Sequence, residues 1–282
     1  MEKEHLPLQV NVRSVIRAKS PKLGRYLPGF VIRYLERILH QDDFNLILST
    51  YSHLSGVALA KASLEHYRIT ATPHGLENIP LTGRYIFVSN HPLGGLDGLV
   101  LIHTVGSRWE EVKFVVNDVL IHFTPFEDVF VPVNAYGTQN QEYAQKIMQA
   151  YDSDAQVLYF PAGICSRKIK GVITDLPWKR NFLQKAIKHQ RDIVPVFFSG
   201  QNSNFFYRLA NARKSLRIPF NIEMFYLADE MFSQSGVHFD LYFGSPIPYT
   251  SFTKEKKMDE WLADIRHQVY SLPGTHKPKL RI

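Results

Sequence analysis

The chain has 282 residues, 45% hydrophobic and 13% aromatic, which is enough apolar side chain to bury a substantial core and excludes a disordered polymer. Its formal charge of +7 calls for an anionic partner, and charge alone leaves open nucleic acid, a lipid surface, an acidic carrier protein or a phosphorylated cofactor. The single cysteine, Cys165, excludes a disulfide framework and a multi-cysteine zinc site, and fits a reducing compartment.

Met1 to Pro7 lacks a signal-peptide pattern, and no window holds 18 uninterrupted apolar residues, so neither secretion nor a bilayer span is expected. Residues 10–66 read as helical. Phe30, Val31, Tyr34, Leu35, Ile38 and Leu39 recur at helical spacing, with Arg33, Glu36 and Arg37 between them. A second helical stretch is predicted from about Phe44 to Tyr67, with Asp42 and Asp43 as a cap between the two. The pair reads as a hairpin laid against a core or a membrane face. Turn-rich segments at 72–75 and 79–83 mark a boundary near residue 70.

Beyond it, strands are predicted at 85–89, 112–116, 129–133, 157–160, 193–198, 222–227 and 239–244, and helices near 96–106, 139–151, 178–190, 204–214 and 254–271. That alternation predicts an α/β fold, a mostly parallel and partly mixed sheet covered by helices, with an N-terminal helical region. The expected division is a helical region over 1–70, an αβ core over 71–272 and a basic extended tail over 273–282.

The segment Ser89-Asn90-His91-Pro92-Leu93-Gly94-Gly95-Leu96-Asp97-Gly98 follows the apolar run 85–88 and precedes an apolar helix. Six residues along one helix turn through about 600°, so the two side chains meet only if the chain bends between them, which Gly94 and Gly95 allow. An imidazole can take a proton from a hydroxyl or amine, and a carboxylate on its other nitrogen fixes the tautomer. The alternative reading makes Asp97 a helix cap and His91 a backbone-bonded side chain.

A second loop, Pro161 to Lys168, follows the strand Val157-Leu158-Tyr159-Phe160, at the end of a strand where sheet ligands gather. Gly163 permits close backbone approach, and Ser166 and Arg167 can donate hydrogen bonds; a plain strand-to-helix turn is the alternative. From Arg167 to Arg191 the cations Lys168, Lys170, Lys179, Arg180, Lys185 and Lys188 intervene against Asp175 alone. Trp178, Phe182 and Ala186 form an apolar stripe that leaves Lys185 and Lys188 toward solvent, a face for an acidic carrier or anionic headgroups, or simply a solvated exterior. Neither a paired-cysteine finger nor an aromatic ribonucleoprotein strand is present, so nucleic acid is not an expected partner. The dinucleotide and nucleoside-triphosphate glycine motifs are absent too, and His91 and Asp97 lack a third metal ligand.

Asn90 to Asp97, then Phe160-Pro161-Ala162-Gly163 with Ser166-Arg167, then Ile193-Val194-Pro195-Val196 resemble, in that order, motifs of the glycerophospholipid acyltransferase superfamily over roughly residues 70–250. The nearest branch is the bacterial hemolysin-like and ornithine-lipid acyltransferases, which act on lyso-aminolipids. The resemblance implies a peripheral enzyme at the cytoplasmic membrane face that moves a fatty acyl chain from an acyl thioester to a lyso-lipid hydroxyl. The donor would be acyl carrier protein or acyl-coenzyme A, with no permanently bound cofactor and no metal. His91 would be the base and Asp97 its acidic partner; backbone N–H groups or Arg167 would meet the developing oxyanion. Asn90, Gly94, Gly95, Phe160, Pro161, Gly163, Ser166, Arg167 and Pro195 fall in the substrate-binding motifs. Five residues separate His91 from Asp97 where the common form has four, and Ala162 replaces the usual glutamate. These departures count against glycerol-3-phosphate or lysophosphatidate as acceptor; a lyso-aminolipid bearing a free hydroxyl fits at least as well, so the expected acceptor is a lyso-aminolipid or a lysophospholipid, with an amino-acid amine left open. A His-Asp lipid or thioester hydrolase and a non-catalytic lipid-binding protein are the competing readings.

Overall fold

A computed structural model describes residues 9–20, 25–117, 120, 123–133 and 141–275. The first helices that lie wholly among the described residues are α1 (Val12–Lys19), α2 (Gly29–Ile38), α3 (Gln41–Thr50) and α4 (Gly56–His66). The two long stretches expected from periodicity are thus broken into shorter pieces. His40 precedes α3 with φ 50°, which places Asp42 and Asp43 in the first turn of that helix, where carboxylates favour the dipole, rather than in a cap.

The αβ part continues with β1 (Thr70–His74), β2 (Tyr85–Ser89), α5 (Leu96–Gly106), β3 (Val112–Asn117), β4 (Phe130–Val133), α6 (Gln141–Asp152) and β5 (Gln156–Tyr159). It closes with β6 (Arg167–Ile169), β7 (Val172–Thr174), α7 (Asn181–Lys188), β8 (Asp192–Phe198), α8 (Asn204–Ser215), α9 (Leu227–Ser233), β9 (His238–Phe243) and α10 (Met258–Thr275). Seven strands form one sheet in the order β1-β9-β8-β2-β5-β3-β4. All pairs are parallel except β8 with β9, so the sheet is mixed at one side as expected.

Every residue of β2 is buried, because helices cover both faces of the sheet. Its side chains alternate between two cores. Tyr85 and Phe87 join the cluster with α4 and α5, whereas Ile86 and Val88 join the cluster with α6, α7 and α10. At the other end of β2, Arg191 is fully buried and donates to the backbone carbonyls of Tyr151, Ala155 and Ser153, so it closes the end of α6 and takes no part in a charged face.

Three features depart from the sequence expectation. The strand expected at 222–227 is a 3-10 turn, Ile222–Tyr226, running into α9. Its Ile-Glu-Met-Phe-Tyr alternation resembles a strand, but Glu223 points inward to two arginines instead of outward to water. The segment around Pro73 is an edge strand rather than only a turn, a position that tolerates a missing N–H. Strands β6 and β7 form an antiparallel hairpin turned by Lys170 and Gly171, both at positive φ, as two-residue hairpin loops require. At the C-terminus α10 carries through Pro273 to Thr275, and residues 276–282 of the expected tail lie outside the described residues.

Candidate active site

The loops leaving β2 and β5 meet at the carboxyl ends of these two parallel neighbours. After β2, Asn90 donates from its side chain to Phe198 O at 3.0 Å and accepts from Phe198 N at 2.7 Å, extending the ladder to β8 by one side chain. Asn90 is therefore a buried clamp on the sheet. The chain then turns through Gly94 at φ +84°, where an added Cβ would lie 2.9 Å from Leu227 Cδ2. Gly95 is exposed and has open space around it.

This turn brings the first turn of α5 back to His91. The His91 Nδ1 lies 2.8 Å from Asp97 Oδ2, as the bent-loop reading requires. Asp97 is wholly buried and its Oδ2 also accepts from Leu93 N at 2.9 Å, while Oδ1 accepts from Gly98 N at 3.0 Å. Burial alone would raise its pKa; the charge and hydrogen bond of His91, with the N–H groups of Leu93 and Gly94, overcome that and hold it below the ordinary carboxylate value. An ionised Asp97 accepts from Nδ1–H, which leaves Nε2 as the basic nitrogen. That nitrogen has no protein hydrogen bond among the described residues. The ring is 12% exposed and stacks on Phe160 at 4.1 Å and 15°.

His91 is held by its backbone as firmly as by its ring. Its N–H donates to Asp175 Oδ1 at 3.2 Å, and its carbonyl accepts from Ser166 N at 2.7 Å. Asp175 is buried, and it also accepts from Ser166 Oγ at 2.5 Å and Trp178 Nε1 at 2.8 Å. Its backbone N–H donates to Tyr270 OH at 2.9 Å, which ties the site to α10. Ser166 is thus a buried strut between two loops.

Arg167 is held inside the protein: its guanidinium donates to Cys165 O at 2.8 Å and to Glu223 Oε1 at 3.0 Å, and the residue is 7% exposed. Arg213 Nε holds the other oxygen of Glu223 at 2.8 Å. Cys165 is fully buried and burial pushes its thiol up to about 11, so it is not a nucleophile. Phe160 and Gly163 close a turn through Gly163 N to Phe160 O at 3.0 Å; Gly163 is exposed at φ +71°, and Pro161 is buried with its carbonyl held by Lys179 N. Pro195 lies inside β8 opposite Val88 of β2 and beside Gly244, where the β9 ladder has ended.

The basic residues do not make one strip. Lys168 reaches Asn204 on α8, Lys170 occupies the hairpin turn, and Lys179 and Arg180 are exposed ahead of α7. Lys188 is exposed on α7, but Lys185 is half-buried, 5.8 Å over the Tyr151 ring, and burial lowers its pKa. No group of three or more His, Cys, Asp or Glu among the described residues is arranged to hold a metal ion.

An apolar recess lined by Phe44, Ile47, Leu59, Tyr67, Leu99 and Phe126 lies between the N-terminal helices and α5, with Leu96 next to Asp97 in its wall. A separate cavity of about 290 Å³, lined by Gly75, Asn78, Gly244, Ser245, Gln268 and Ser271, follows the ends of β1 and β9, away from the loops that carry the His-Asp pair.

The acyltransferase family profile matches residues 14–276, nearly the whole described chain. The chain belongs to the acyltransferase family. It is 43% identical over 264 residues to the lyso-glycine lipid O-acyltransferase of Bacteroides thetaiotaomicron, a match covering 93% of this chain and 97% of that protein. It is 39% identical to the lyso-glycine lipid O-acyltransferase of Phocaeicola vulgatus, over 93% and 95% of the two chains. The crystal structure of the 1-acyl-sn-glycerophosphate acyltransferase of Thermotoga maritima aligns over 92% of this chain and 91% of that one, with 16% identity and a TM-score of 0.49. This chain is accordingly an O-acyltransferase related to enzymes that acylate lyso-lipids.

Proposed function

We propose that this acyltransferase moves a fatty acyl chain from an acyl thioester to the free hydroxyl of a lyso-aminolipid, with lyso-glycine lipid as its acceptor. The names of the two relatives support the acceptor and narrow the broader hemolysin-like and ornithine-lipid resemblance. The observation that carries the mechanism is the His91 Nδ1 to Asp97 Oδ2 contact of 2.8 Å, with Nε2 left available. Nε2 takes the proton of the acceptor hydroxyl as its oxygen attacks the thioester carbonyl; a C–O bond forms and the carbonyl oxygen becomes an oxyanion. Collapse of the tetrahedral intermediate breaks the C–S bond, and the imidazolium returns its proton to the departing thiolate. Asp97 keeps the ring oriented and offsets the imidazolium charge. Phe160 stacks on the imidazole, and Gly163 turns the second loop at φ +71° beside the Lys179 ammonium.

The recess behind Leu96 has an apolar lining but a cavity volume of only about 60 Å³, so it can seat an acyl chain only if the N-terminal helices move apart from α5. The donor is acyl carrier protein or acyl-coenzyme A, both of which present anionic surfaces or groups to a chain of charge +7. Among the described residues no helix is long and apolar enough to cross a membrane, and we place the enzyme peripherally at the cytoplasmic face.

The test is a matched assay of wild type and His91→Ala with labelled acyl carrier protein and acyl-coenzyme A donors. The acceptors are lyso-glycine lipid, lyso-ornithine lipid and lysophosphatidate, with products read by mass spectrometry. Diacylated glycine lipid formed by wild type and lost in His91→Ala is the expected result. Transfer confined to lysophosphatidate would overturn the acceptor, and free fatty acid released without any acceptor would point to hydrolysis.

A further inference from the structure

Between Gln201 and Ile222 the chain carries Arg208, Arg213, Lys214 and Arg217 and no acidic residue. The same stretch exposes Phe205 by 52%, Leu216 by 71% and Phe220 by 73%, and Phe225 follows at 49%. Along α8 and its capping residue Leu216, Phe205, Arg208, Ala212 and Leu216 stand three, four and four residues apart, one face of a helix. The opposite face, with Phe206 and Tyr207, packs on Cys165. The apolar core of this helix is already satisfied, so the apolar residues on its outer face need another partner.

The surface continues onto α2. Tyr34 OH lies 2.5 Å from Tyr226 OH, and the Tyr226 ring is 5.0 Å from Phe205. Phe30, one turn before Tyr34, is 67% exposed, and Arg37 sits 5.3 Å over the Tyr34 ring. Arg33 is exposed on the same helix. Rings interleaved with cations suit a bilayer interface, where apolar side chains enter the acyl boundary and guanidinium or ammonium groups meet lipid phosphates. An acidic protein would satisfy the cations and leave the large apolar side chains without a matching depth of hydrocarbon.

We infer that α8, the segment 216–226 and α2 form the platform on which the enzyme docks to an anionic bilayer; this rests on the lipid acceptor proposed above. The platform is joined to the reactive loop. Leu227 follows it directly and packs where Gly94 has no side chain, and Glu223 within it anchors Arg167 from the second loop. Docking therefore brings His91 to the surface in which a lyso-lipid resides. Of the α7 cations outside this platform, Lys185 lies over Tyr151.

The experiment is flotation of the full chain with phosphatidylglycerol-containing and pure phosphatidylcholine vesicles at low and high salt. It compares wild type, Leu216→Glu/Phe220→Glu and Lys185→Glu/Lys188→Glu, with acyl transfer assayed in parallel on acceptor in detergent micelles and in vesicles. Wild type should favour anionic vesicles and weaken with salt. Leu216→Glu/Phe220→Glu should lower partitioning about ten-fold or more, because it removes apolar insertion and adds like charge to the headgroups. The same variant should lose transfer from vesicles and keep transfer from micelles, and the α7 variant should bind as wild type. Unchanged vesicle binding by Leu216→Glu/Phe220→Glu, or loss only in the α7 variant, would overturn the platform. Loss of micelle transfer that appears only with acyl carrier protein as donor would make the surface a carrier dock instead. Failure of wild type to acylate any lyso-lipid in micelles would sink the proposed function whatever the vesicles show.

Discussion

Replacing Asp97 with asparagine keeps the size of the side chain but cannot satisfy its surroundings. The carboxylate accepts from His91 Nδ1 and Leu93 N on one oxygen and from Gly98 N on the other. Asparagine has one acceptor oxygen, so either orientation aims an NH₂ group at a donor. With NH₂ toward His91, the ring adopts the Nε2–H tautomer, and the nitrogen that should receive the acceptor's proton already carries one. With NH₂ toward Gly98, a buried N–H is left unpaired at a cost of about 1–3 kcal/mol, and the imidazolium loses its counter-charge. Turnover should fall roughly 10²–10⁴-fold, the range associated with a general base. Asp97 has a depressed pKa, so its ionised form stabilises the fold above the ordinary carboxylate value of about 4, and that contribution is lost as pH falls through the lower folded value. The asparagine variant has no such group, so the difference in Tm from wild type should be full at neutral pH and shrink on acidification through that window. Steady-state acyl transfer at neutral pH and thermal melts across acid pH measure both effects. Near-normal turnover, or a Tm difference that ignores acid, would refute the assignment of Asp97 as the orienting carboxylate.

Gly94→Ala forces a Cβ to within 2.9 Å of Leu227 at φ +84°; it should cost roughly 1–3 kcal/mol in a thermal or denaturant melt and lower turnover further, because the strain falls on the turn that joins His91 to Asp97. Arg167→Met leaves the fully buried Glu223 with Arg213 as its remaining charge partner. Chemical denaturation should show a loss of about 3–5 kcal/mol, and unchanged stability would remove the ion pair from the account. Asp175→Asn turns an NH₂ group toward either Trp178 Nε1–H or the pair of donors from His91 and Ser166. The variant should lose kcat with little change in KM, and adding Trp178→Phe should recover part of it by deleting the conflicting donor; a double variant no better than the single one would contradict this positioning role.

The sheet was legible because its central strands are short apolar runs separated by helical periodicity, and β2, buried on both faces, is the extreme case. Local pattern failed where tertiary context decides. Pro73 reads as a turn until β9 is present to make β1 a sheet edge. Lys170-Gly171 is a weak hairpin signal beside asparagine-glycine, yet the two positive φ angles are those the turn needs. Ile222 to Tyr226 alternates like a strand, and only the arginines waiting for Glu223 turn it inward.

The site divides along the same line. His91 and Asp97 are six residues apart with a glycine turn between, so their meeting is a local event that sequence can announce. Asp175 is 84 residues from His91, and its bond to the His91 N–H exists only because β2 and β5 are neighbours that bring the two loops together. The signal that could have found it is its isolation as the one carboxylate among the eight cations from Arg167 to Arg191. A charge balance alone would have paired it with a lysine. In the structure it accepts from a backbone N–H, a hydroxyl and an indole, and Arg266 Nη2 bonds its backbone carbonyl rather than its carboxylate. Arg167 shows the opposite case: its motif position suggests substrate, and nothing local in the sequence announces the buried carboxylate that stands 3.0 Å from its guanidinium. Motif spacing thus locates the groups that act on each other through the local chain, while the geometry that holds the His91 ring depends on buried charges whose partners come from distant strands.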